Sequence, residues 1–298
     1  MHHPPLSLAL VGLGRANQAR QRAALAFPQL AQVAATVSRR PGVGSHSWQD
    51  VLADANIDAV CIATENASHA QFAREALQAG KHVLVDFPLA TTAAEAAELL
   101  ALAHTHNRVL HTESIGLLTA EHQALRALHA RDPLVSAEVE FSANLDGWVL
   151  QEAQHGRLGN LGIGRLQALW DLFGPLELQS VYAQRFGDAF DATTGFGAGY
   201  RIDAILRAKA SGSRVHWSET RRPGLGRGRS WQGTHASGQP LQMPAAGEVT
   251  GLFAQDLEHF VARIGGTSAG YVSDDAVLGV LRLAEAMDLA SAQPAGQA

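Results

Sequence analysis

The sequence predicts an α/β plus α+β protein, with a doubly wound parallel sheet at the N-terminus and then an open, mostly antiparallel sheet. Up to about Leu118, short apolar runs alternate with helical segments, which is typical of parallel strands joined by helices. Beyond Leu118, glycine-containing turns separate strand-like segments, which indicates antiparallel pairing. We expect two domains, residues 1–118 and 119–298, with the C-terminal helix able to pack back on the first.

The first predicted strand, Leu6–Val11, runs into the turn Gly12-Leu-Gly-Arg-Ala-Asn17 and then into a helix over Gln18–Phe27. Glycines in such a turn let the backbone approach a pyrophosphate, and the helix N-terminus offers unpaired amides. Asn17 stands where a third glycine is usual, and a glycine turn after a strand is also common without a nucleotide. The cofactor-binding residues expected here are Gly12, Gly14, Arg15, Ala16 and Asn17.

The second predicted strand, Gln32–Val37, ends in Ser38-Arg39-Arg40, where a site that prefers NAD usually carries an acidic residue for the ribose 2′-hydroxyl. Arginine binds phosphate through paired, charge-assisted hydrogen bonds. We therefore predict that Ser38, Arg39 and Arg40 hold a 2′-phosphate and that NADPH is favoured over NADH. The alternative is a solvated loop with two surface arginines.

Three more strands complete the predicted parallel sheet: Ile57–Thr64, Lys81–Val85 and Val109–Glu113. In a doubly wound sheet, ligands lie outside the carboxyl ends of the strands. Residues that follow these strands are therefore candidates for contact with the cofactor: Thr64, Asn66, His69, Asp86 and Phe87. One helix is expected to open with the segment Glu65–His69 and to run through Ala79, with Asn66 or Ser68 as candidate caps, and another over Thr92–His106.

The second half is predicted to contain four strands and three helices. The strands are Ser136–Ala143, Glu177–Phe186, Tyr200–Ala210 and Ser213–Thr220, and the helices are Gly162–Leu172, Leu252–Ile264 and Asp274–Ser291. Two regions are predicted to be loops, Gly187–Gly199 and Arg221–Gly238. The second contains four arginines among glycines, so it is either a site that captures anionic groups or a mobile, solvated loop.

These residues resemble the Gfo/Idh/MocA oxidoreductases in three segments: Gly12-x-Gly14, Thr64–His69 and Ala79–Pro88. The resemblance covers most of the chain and implies a Rossmann domain followed by an open antiparallel sheet. Within the family, four segments are most similar to the biliverdin reductases, particularly the cyanobacterial type: Val85–Ala90, Leu110–Leu118, Arg165–Gly174 and Gly251–Glu258.

One departure from the wider family bears on the chemistry. Most of its sugar dehydrogenases have Glu-Lys-Pro where this chain has Asp86-Phe87-Pro88, and the segment Gly162–Gln167 lacks their catalytic histidine. A general acid or base must reach the proton that it moves, so oxidation of a sugar alcohol is not expected. Biliverdin reductases also lack that lysine, since they carry Glu-Tyr-Pro.

The resemblance implies an NADPH-dependent reductase that passes hydride to the central methine carbon of a bilin. Arg165 matches the arginine proposed to assist protonation in the cyanobacterial enzymes, and the expected catalytic residues are Arg165, Asp86 and Glu113. His111 is expected to pack in its strand. Three alternatives stay open: a reductase of a smaller conjugated imine or enone, a non-catalytic cofactor sensor, and Arg165 as a helix-surface arginine paired with a carboxylate.

The composition of the chain indicates which classes of binding partner are expected. A net charge of −5 argues against nucleic acid, and a single cysteine, Cys61, together with 14 histidines that lack His-x-x-x-His spacing, predicts no metal. We expect no signal peptide, no membrane span and a cytoplasmic location. The expected partner is a planar, anionic small molecule, and the C-terminal sheet is a candidate surface for a homo-oligomer.

Overall fold

The computed structural model describes residues 5–40, 42–145, 152–156, 158–186, 199–247 and 250–291. The chain forms two compact units. The first comprises Met1–Leu118 and Val249–Val277, and the second comprises Thr119–Glu248 and Leu278–Ala298. The first unit thus includes a late stretch of chain that a division into residues 1–118 and 119–298 leaves out.

The first unit contains a five-stranded parallel sheet of strand order β2-β1-β3-β4-β5. Its strands are β1 Leu6–Val11, β2 Ala31–Val37, β3 Ala59–Ile62, β4 His82–Val85 and β5 Leu110–Thr112. Its helices before the unit boundary are α1 Arg15–Ala26, α2 Trp48–Ala53, α3 Asn66–Gln78 and α4 Ala93–Thr105, followed by a 3-10 turn over Ile115–Leu118. The late stretch contributes α9, Leu252–Ile264.

The central strands of this sheet are apolar because both of their faces are buried. All four residues of β3 are fully buried, as expected for an inner parallel strand. Leu257 and Phe260 of α9 pack in one core cluster with Leu8 and Leu84. The late helix is therefore part of the hydrophobic core of the first unit.

The second unit contains a five-stranded sheet of order β10-β6-β9-β8-β7. Its strands are β6 Leu134–Ala143, β7 Leu176–Phe186, β8 Gly199–Ala208, β9 Arg214–Arg221 and β10 Gly228–His235. All neighbours pair antiparallel except β6 and β9, which are parallel. The predicted fold class, a parallel sheet followed by a mostly antiparallel one, is confirmed.

Helices α5 Ala120–Arg131, α6 Glu152–His155, α7 Leu158–Leu161 and α8 Ile163–Phe173 belong to the second unit, and α10 spans Asp274–Ser291. Gly162 precedes α8, and a Cβ there would lie 2.6 Å from the ring of the fully buried Trp217 on β9. This close approach sets α8 directly on the sheet, and Arg165 lies in its first turn.

Several details of the sequence-based prediction were wrong. The region Arg221–Gly238, expected to be a loop, contains β10, whose Trp231 and Arg229 pair with β6. Helix α1 begins at Arg15 rather than Gln18, and α2 and α5 were not expected. Within Gly187–Gly199, only Gly199 lies among the described residues, and it begins β8.

Neither of the two candidate caps of α3, Asn66 and Ser68, occupies the N-cap position. Glu65 occupies that position without a side-chain cap, while the hydroxyl of Ser68 donates to Thr64 Oγ1 at 2.8 Å. In the part of the chain that the structure describes, no helix is long and apolar enough to cross a membrane.

Candidate cofactor and substrate sites

The turn after β1 is held in one shape by its neighbours. Gly12 has a φ of +82°, and a Cβ there would overlap the carbonyl oxygen of Ala63. The Asn17 side chain is buried and donates through Nδ2 to three carbonyl oxygens, of Val11 at 2.9 Å, Gly12 at 2.8 Å and Cys61 at 3.1 Å. Asn17, in the place of a third glycine, therefore ties the turn to both flanking strands.

The N-terminus of α1 is open in the way a pyrophosphate requires. Gly14 precedes the helix in an extended conformation, without a side-chain cap and without an acidic residue in the first turn. A Cβ on Gly14 would have no heavy atom within 4 Å. Arg15 is exposed and Ala16 half-buried. Uncapped amides beside open space fit a dinucleotide phosphate.

Ser38, Arg39 and Arg40 follow β2 as predicted. The backbone N–H of Arg40 donates to Ser38 Oγ at 3.1 Å, and Arg39 forms an ion pair with Glu65. Arg40 is exposed, and its side chain has no partner among the described residues. A hydroxyl and two guanidinium groups therefore lie on one short loop, which suits a phosphate group.

The residues after β3 and β4 brace one another. The ring nitrogens of the buried His69 lie within hydrogen-bond distance of two carbonyl oxygens, 2.8 Å from Pro88 and 3.1 Å from Thr64. Asn66 is buried in the first turn of α3, while Thr64 and Phe87 are half-buried. Thr64 and Phe87 thus remain accessible to a cofactor, whereas His69 holds the two loops together.

Arg20 is a site residue that sequence reasoning missed. Its side chain is fully buried, and Nη2 lies 2.6 Å from Asp86 Oδ1 and 3.5 Å from Asp256 Oδ2. Nη1 donates to Asn17 Oδ1 at 3.3 Å. A buried arginine needs such compensation, because an unpaired buried charge is strongly unfavourable. Arg20 therefore fixes Asp86 at the carboxyl end of β4.

Asp256 on α9 gathers further hydrogen bonds. His111 Nε2 lies 2.8 Å from Asp256 Oδ1, and the Tyr271 hydroxyl donates to the same oxygen at 2.7 Å. Burial acts to raise the pKa of Asp256, but the hydrogen bond and charge of His111, with Arg20 and Tyr271, keep it below its usual range. His111 was predicted to be a packed strand histidine, and it is 1% exposed.

Glu113 is the third carboxyl group of this cluster. It is buried, and its Oε1 accepts a hydrogen bond from the backbone N–H of Ile115 at 2.6 Å. Burial, together with the negative charges of Asp86 and Asp256, raises the pKa of Glu113 to about 8. Glu113 therefore carries a proton at neutral pH.

In the second unit, Arg165 is held by a buried carboxylate that sequence reasoning missed. Its Nε donates to Glu219 Oε2 at 2.6 Å and its Nη2 to Glu219 Oε1 at 2.9 Å, and Nη2 also donates to the Leu161 carbonyl. Glu219 is 1% exposed on its side chain and Arg165 is 23% exposed. Arg165 is indeed paired with a carboxylate, yet the partner lies in the core of the sheet.

Glu219 accepts from two further donors. Tyr200 donates its hydroxyl proton at 3.3 Å and Arg221 donates through Nε at 2.7 Å, both to Oε1. Burial, with the charge of Glu219, raises the pKa of Tyr200 far above its usual range. Glu219 lies two residues after Trp217 on β9, so the two share a face of the strand, but nothing in the sequence indicated that Glu219 pairs with Arg165.

The chain is similar to known oxidoreductases along most of its length. Residues 6–114 match the family model described as "Oxidoreductase family, NAD-binding Rossmann fold". Biliverdin reductase A of Mus musculus is 32% identical over 294 residues, which cover 95% of this chain and 93% of that protein. The chain belongs to the Gfo/Idh/MocA oxidoreductases. As a member of this family, it is an NAD(P)-dependent oxidoreductase.

Two further relatives of this Gfo/Idh/MocA protein are also biliverdin reductases. The Homo sapiens biliverdin reductase A is 31% identical over 269 residues, which cover 86% of this chain and 85% of that protein. A biliverdin reductase from Synechocystis sp. PCC 6803, solved with biliverdin and NADP+, has a TM-score of 0.79 and 26% identity, covering 96% of this chain and 99% of that one. The predicted resemblance is confirmed.

Two further kinds of site, a reactive thiol and a metal centre, are absent from the described residues. Burial raises the pKa of the Cys61 thiol to about 12, so it is an unreactive core residue. No group of three or more His, Cys, Asp or Glu side chains among the described residues has the geometry to hold a metal ion.

Proposed function

We propose that this protein is an NADPH-dependent reductase of a bilin-like tetrapyrrole, of the type that converts biliverdin to bilirubin. The observation that carries the proposal is the contact between Glu219 and Arg165, the predicted catalytic arginine. The chain has no lysine in Asp86-Phe87-Pro88 that could take the catalytic role instead. The near full-length similarity to three biliverdin reductases supports the same substrate class.

The proposed cofactor site uses the first unit. The amides at the start of α1 would hold the pyrophosphate, and Ser38, Arg39 and Arg40 would hold the 2′-phosphate. When bound, NADPH supplies the hydride that goes to a conjugated carbon of the substrate. Thr64, Asn66 and Phe87 are the proposed contacts at the ends of β3 and β4, where Phe87 offers a flat apolar face for stacking.

The reaction also needs a proton for a pyrrole nitrogen and a counter-charge for the substrate. An arginine keeps its charge and is a poor acid in water, so Arg165 would polarise a bound water or hold a propionate. Glu113, with its raised pKa, is the proposed proton store, and Asp86 is oriented by Arg20. Reduction of a conjugated carbon requires no strong base, which agrees with the absence of lysine beside Asp86.

The direct test is a spectrophotometric assay of the purified protein with biliverdin, comparing NADPH and NADH from acidic to neutral pH. Bilirubin that forms faster with NADPH would support both the substrate and the phosphate site. Bound NADPH without bilirubin would contradict the bilin proposal and direct the search to smaller conjugated imines and enones or to a sensor role.

Arg165 is tested separately by replacing it with alanine and with lysine. We expect Arg165→Ala to bind NADPH normally and to lose at least about 100-fold in kcat, the usual size of a proton-transfer contribution. Arg165→Lys keeps the charge but not the paired hydrogen bonds, so partial rescue is expected. Unchanged turnover in both variants would remove Arg165 from the mechanism.

A further inference from the structure

We propose that Arg221 and Arg227, together with Arg165, form a clamp for two carboxylate groups of one ligand. All three guanidinium groups lie around the ring of Phe141 on β6. The distances from their Cζ atoms to the ring centroid are 4.3 Å for Arg165, 5.5 Å for Arg221 and 5.9 Å for Arg227. The proposal rests on the proposed function for the identity of the ligand, but not for the site itself.

Within the part of the chain that the structure describes, the positive charges of this cluster outnumber the negative ones. Among the described residues, Glu219 is the carboxylate that pairs with the cluster, and it contacts Arg165 and Arg221 but not Arg227. Three guanidinium groups facing one carboxylate leave two positive charges around a single aromatic ring. Like charges gathered around one ring repel one another, so a dianionic ligand would stabilise the arrangement.

The cluster also has hydrogen-bond donors to spare. Arg165 uses Nε and Nη2 in the contacts with Glu219 and Leu161, which leaves Nη1 without a partner in the described part of the chain. Toward the described residues, Arg221 donates only through Nε and Arg227 makes no hydrogen bond. A terminal guanidinium edge can bind a carboxylate through two parallel hydrogen bonds.

Glu219 and Phe141 position the clamp. Glu219 is buried, accepts from Tyr200 and holds Nε of both Arg165 and Arg221, so it fixes the direction in which their free ends point. Phe141 supplies an aromatic face for the three cations. Glu219 is thus a positioning residue, since it acts on the ligand through the arginines.

The neighbouring arginines are arranged differently, which makes them useful controls. Arg229 forms an ion pair with Glu121 on α5. Arg222 is exposed, and its side chain has no charged or hydrogen-bonding partner among the described residues. The region Arg221–Gly238 was predicted either to capture anions or to be solvated, and these contacts assign the two roles to different arginines.

The ligand that the proposed function implies is a bilin, which carries two propionates and is therefore a dicarboxylate. The test measures equilibrium binding of biliverdin and of its dimethyl ester, with NADP+ present so that no turnover occurs. We expect the wild-type protein to bind the acid at least about tenfold more tightly than the ester, which corresponds to one charge-assisted contact.

Arg227→Gln and the double variant Arg221→Gln/Arg227→Gln are expected to weaken binding of the acid about tenfold or more while changing that of the ester less than about twofold. Arg222→Gln is the matched control and should change neither. Arg227 is exposed, so its variant keeps the fold even if Arg221→Gln leaves Glu219 underpaired. Thermal unfolding checks each variant.

Equal affinities for acid and ester, an equal effect of Arg222→Gln, or no binding of biliverdin would each overturn the clamp. A protein that binds the acid through Arg221 and Arg227 but forms no bilirubin would retain the clamp and contradict the proposed function. The two failures are therefore distinguishable.

Discussion

Arg20 and Asp86 form an ion pair of 2.6 Å in which the arginine is fully buried and the aspartate is 21% exposed. The pair joins the second turn of α1 to the carboxyl end of β4, and Asp256 of α9 lies 3.5 Å from the same Nη2 atom of Arg20. One guanidinium thus connects three segments that are far apart in sequence. Asp86, which lies at the carboxyl edge of the sheet, is therefore held by the fully buried guanidinium of Arg20.

Replacing Arg20 with methionine should strongly destabilise the protein. The substitution keeps the volume but leaves Asp86 and Asp256 without their cation, and breaking a buried pair from one side costs about 3–5 kcal/mol. Urea unfolding measures the change in free energy. Arg22→Met, at an exposed position of the same helix, is the control and should cost less than about 0.5 kcal/mol. Equal losses in both variants would contradict the role of Arg20.

The buried ion pair marks the limit of what sequence reasoning could predict. The five parallel strands were predictable because inner strands read as continuous apolar runs, and the loops at their carboxyl ends followed from strand order. An arginine in a helix such as α1 carries no such signal, since its burial depends on carboxylates 66 and 236 residues away. Helix α2 was not predicted, although Ser47 and Asp50, which form its capping box, are a sequence signal for the start of a helix.

The second unit was harder to predict than the first. Its strands alternate in burial, but the partner of each strand depends on long connections, so the parallel pairing of β6 with β9 was not foreseen. The resemblance identified Arg165, whereas Glu219 could be found only from the register that places it on the buried face. Strand β10 was not predicted, because its region is rich in glycine, which is typical of loops.

The stability of the protein should depend on the protonation of Glu113. Burial and the neighbouring carboxylates raise its pKa from 4.5 to about 8, so between these pH values the folded protein holds a proton that the unfolded chain has released. Stability therefore falls as the pH rises through this window, by at most about 1.4 kcal/mol per pH unit.

Glu113→Gln removes this proton uptake. We expect the free energy of unfolding of the variant to exceed that of the wild type increasingly from pH 5 to about 8, measured by urea titration at each pH. Glu258→Gln, on the exposed side of α9, should leave the pH dependence unchanged. A constant difference between wild type and Glu113→Gln would show that Glu113 has an ordinary pKa.

Alanine substitutions at the two glycines of the first turn should have different effects on stability. Gly12→Ala places a side chain at a positive φ and against the carbonyl of Ala63, so it should lose at least about 2 kcal/mol of stability. Gly14→Ala has an ordinary φ of −75° and open space, so the fold should tolerate it.

A methyl group on Gly14 would nevertheless stand where the proposed pyrophosphate lies. We expect Gly14→Ala to keep its melting temperature and to weaken NADPH binding about tenfold or more, measured by the quenching of tryptophan fluorescence. Unchanged affinity would place the phosphates elsewhere.

The loop after β2 should determine the choice between cofactors. Arg39→Ala/Arg40→Ala removes both guanidinium groups, so KM for NADPH should rise about tenfold or more while KM for NADH changes less than about twofold. Arg131→Ala, an exposed position on α5, is the control. A parallel rise for both cofactors would mean that these arginines act on the fold and not on the 2′-phosphate.

The most direct test of the proposed hydride transfer is a single turnover with biliverdin and NADPH that is deuterated at C4 of the nicotinamide. Two preparations are used, each with deuterium on one face of the ring. We predict bilirubin one mass unit heavier from one preparation and not from the other, because hydride passes directly from one face of the ring to the bilin. Bilirubin without deuterium from either preparation, or no bilirubin from protein that binds NADPH, would contradict it.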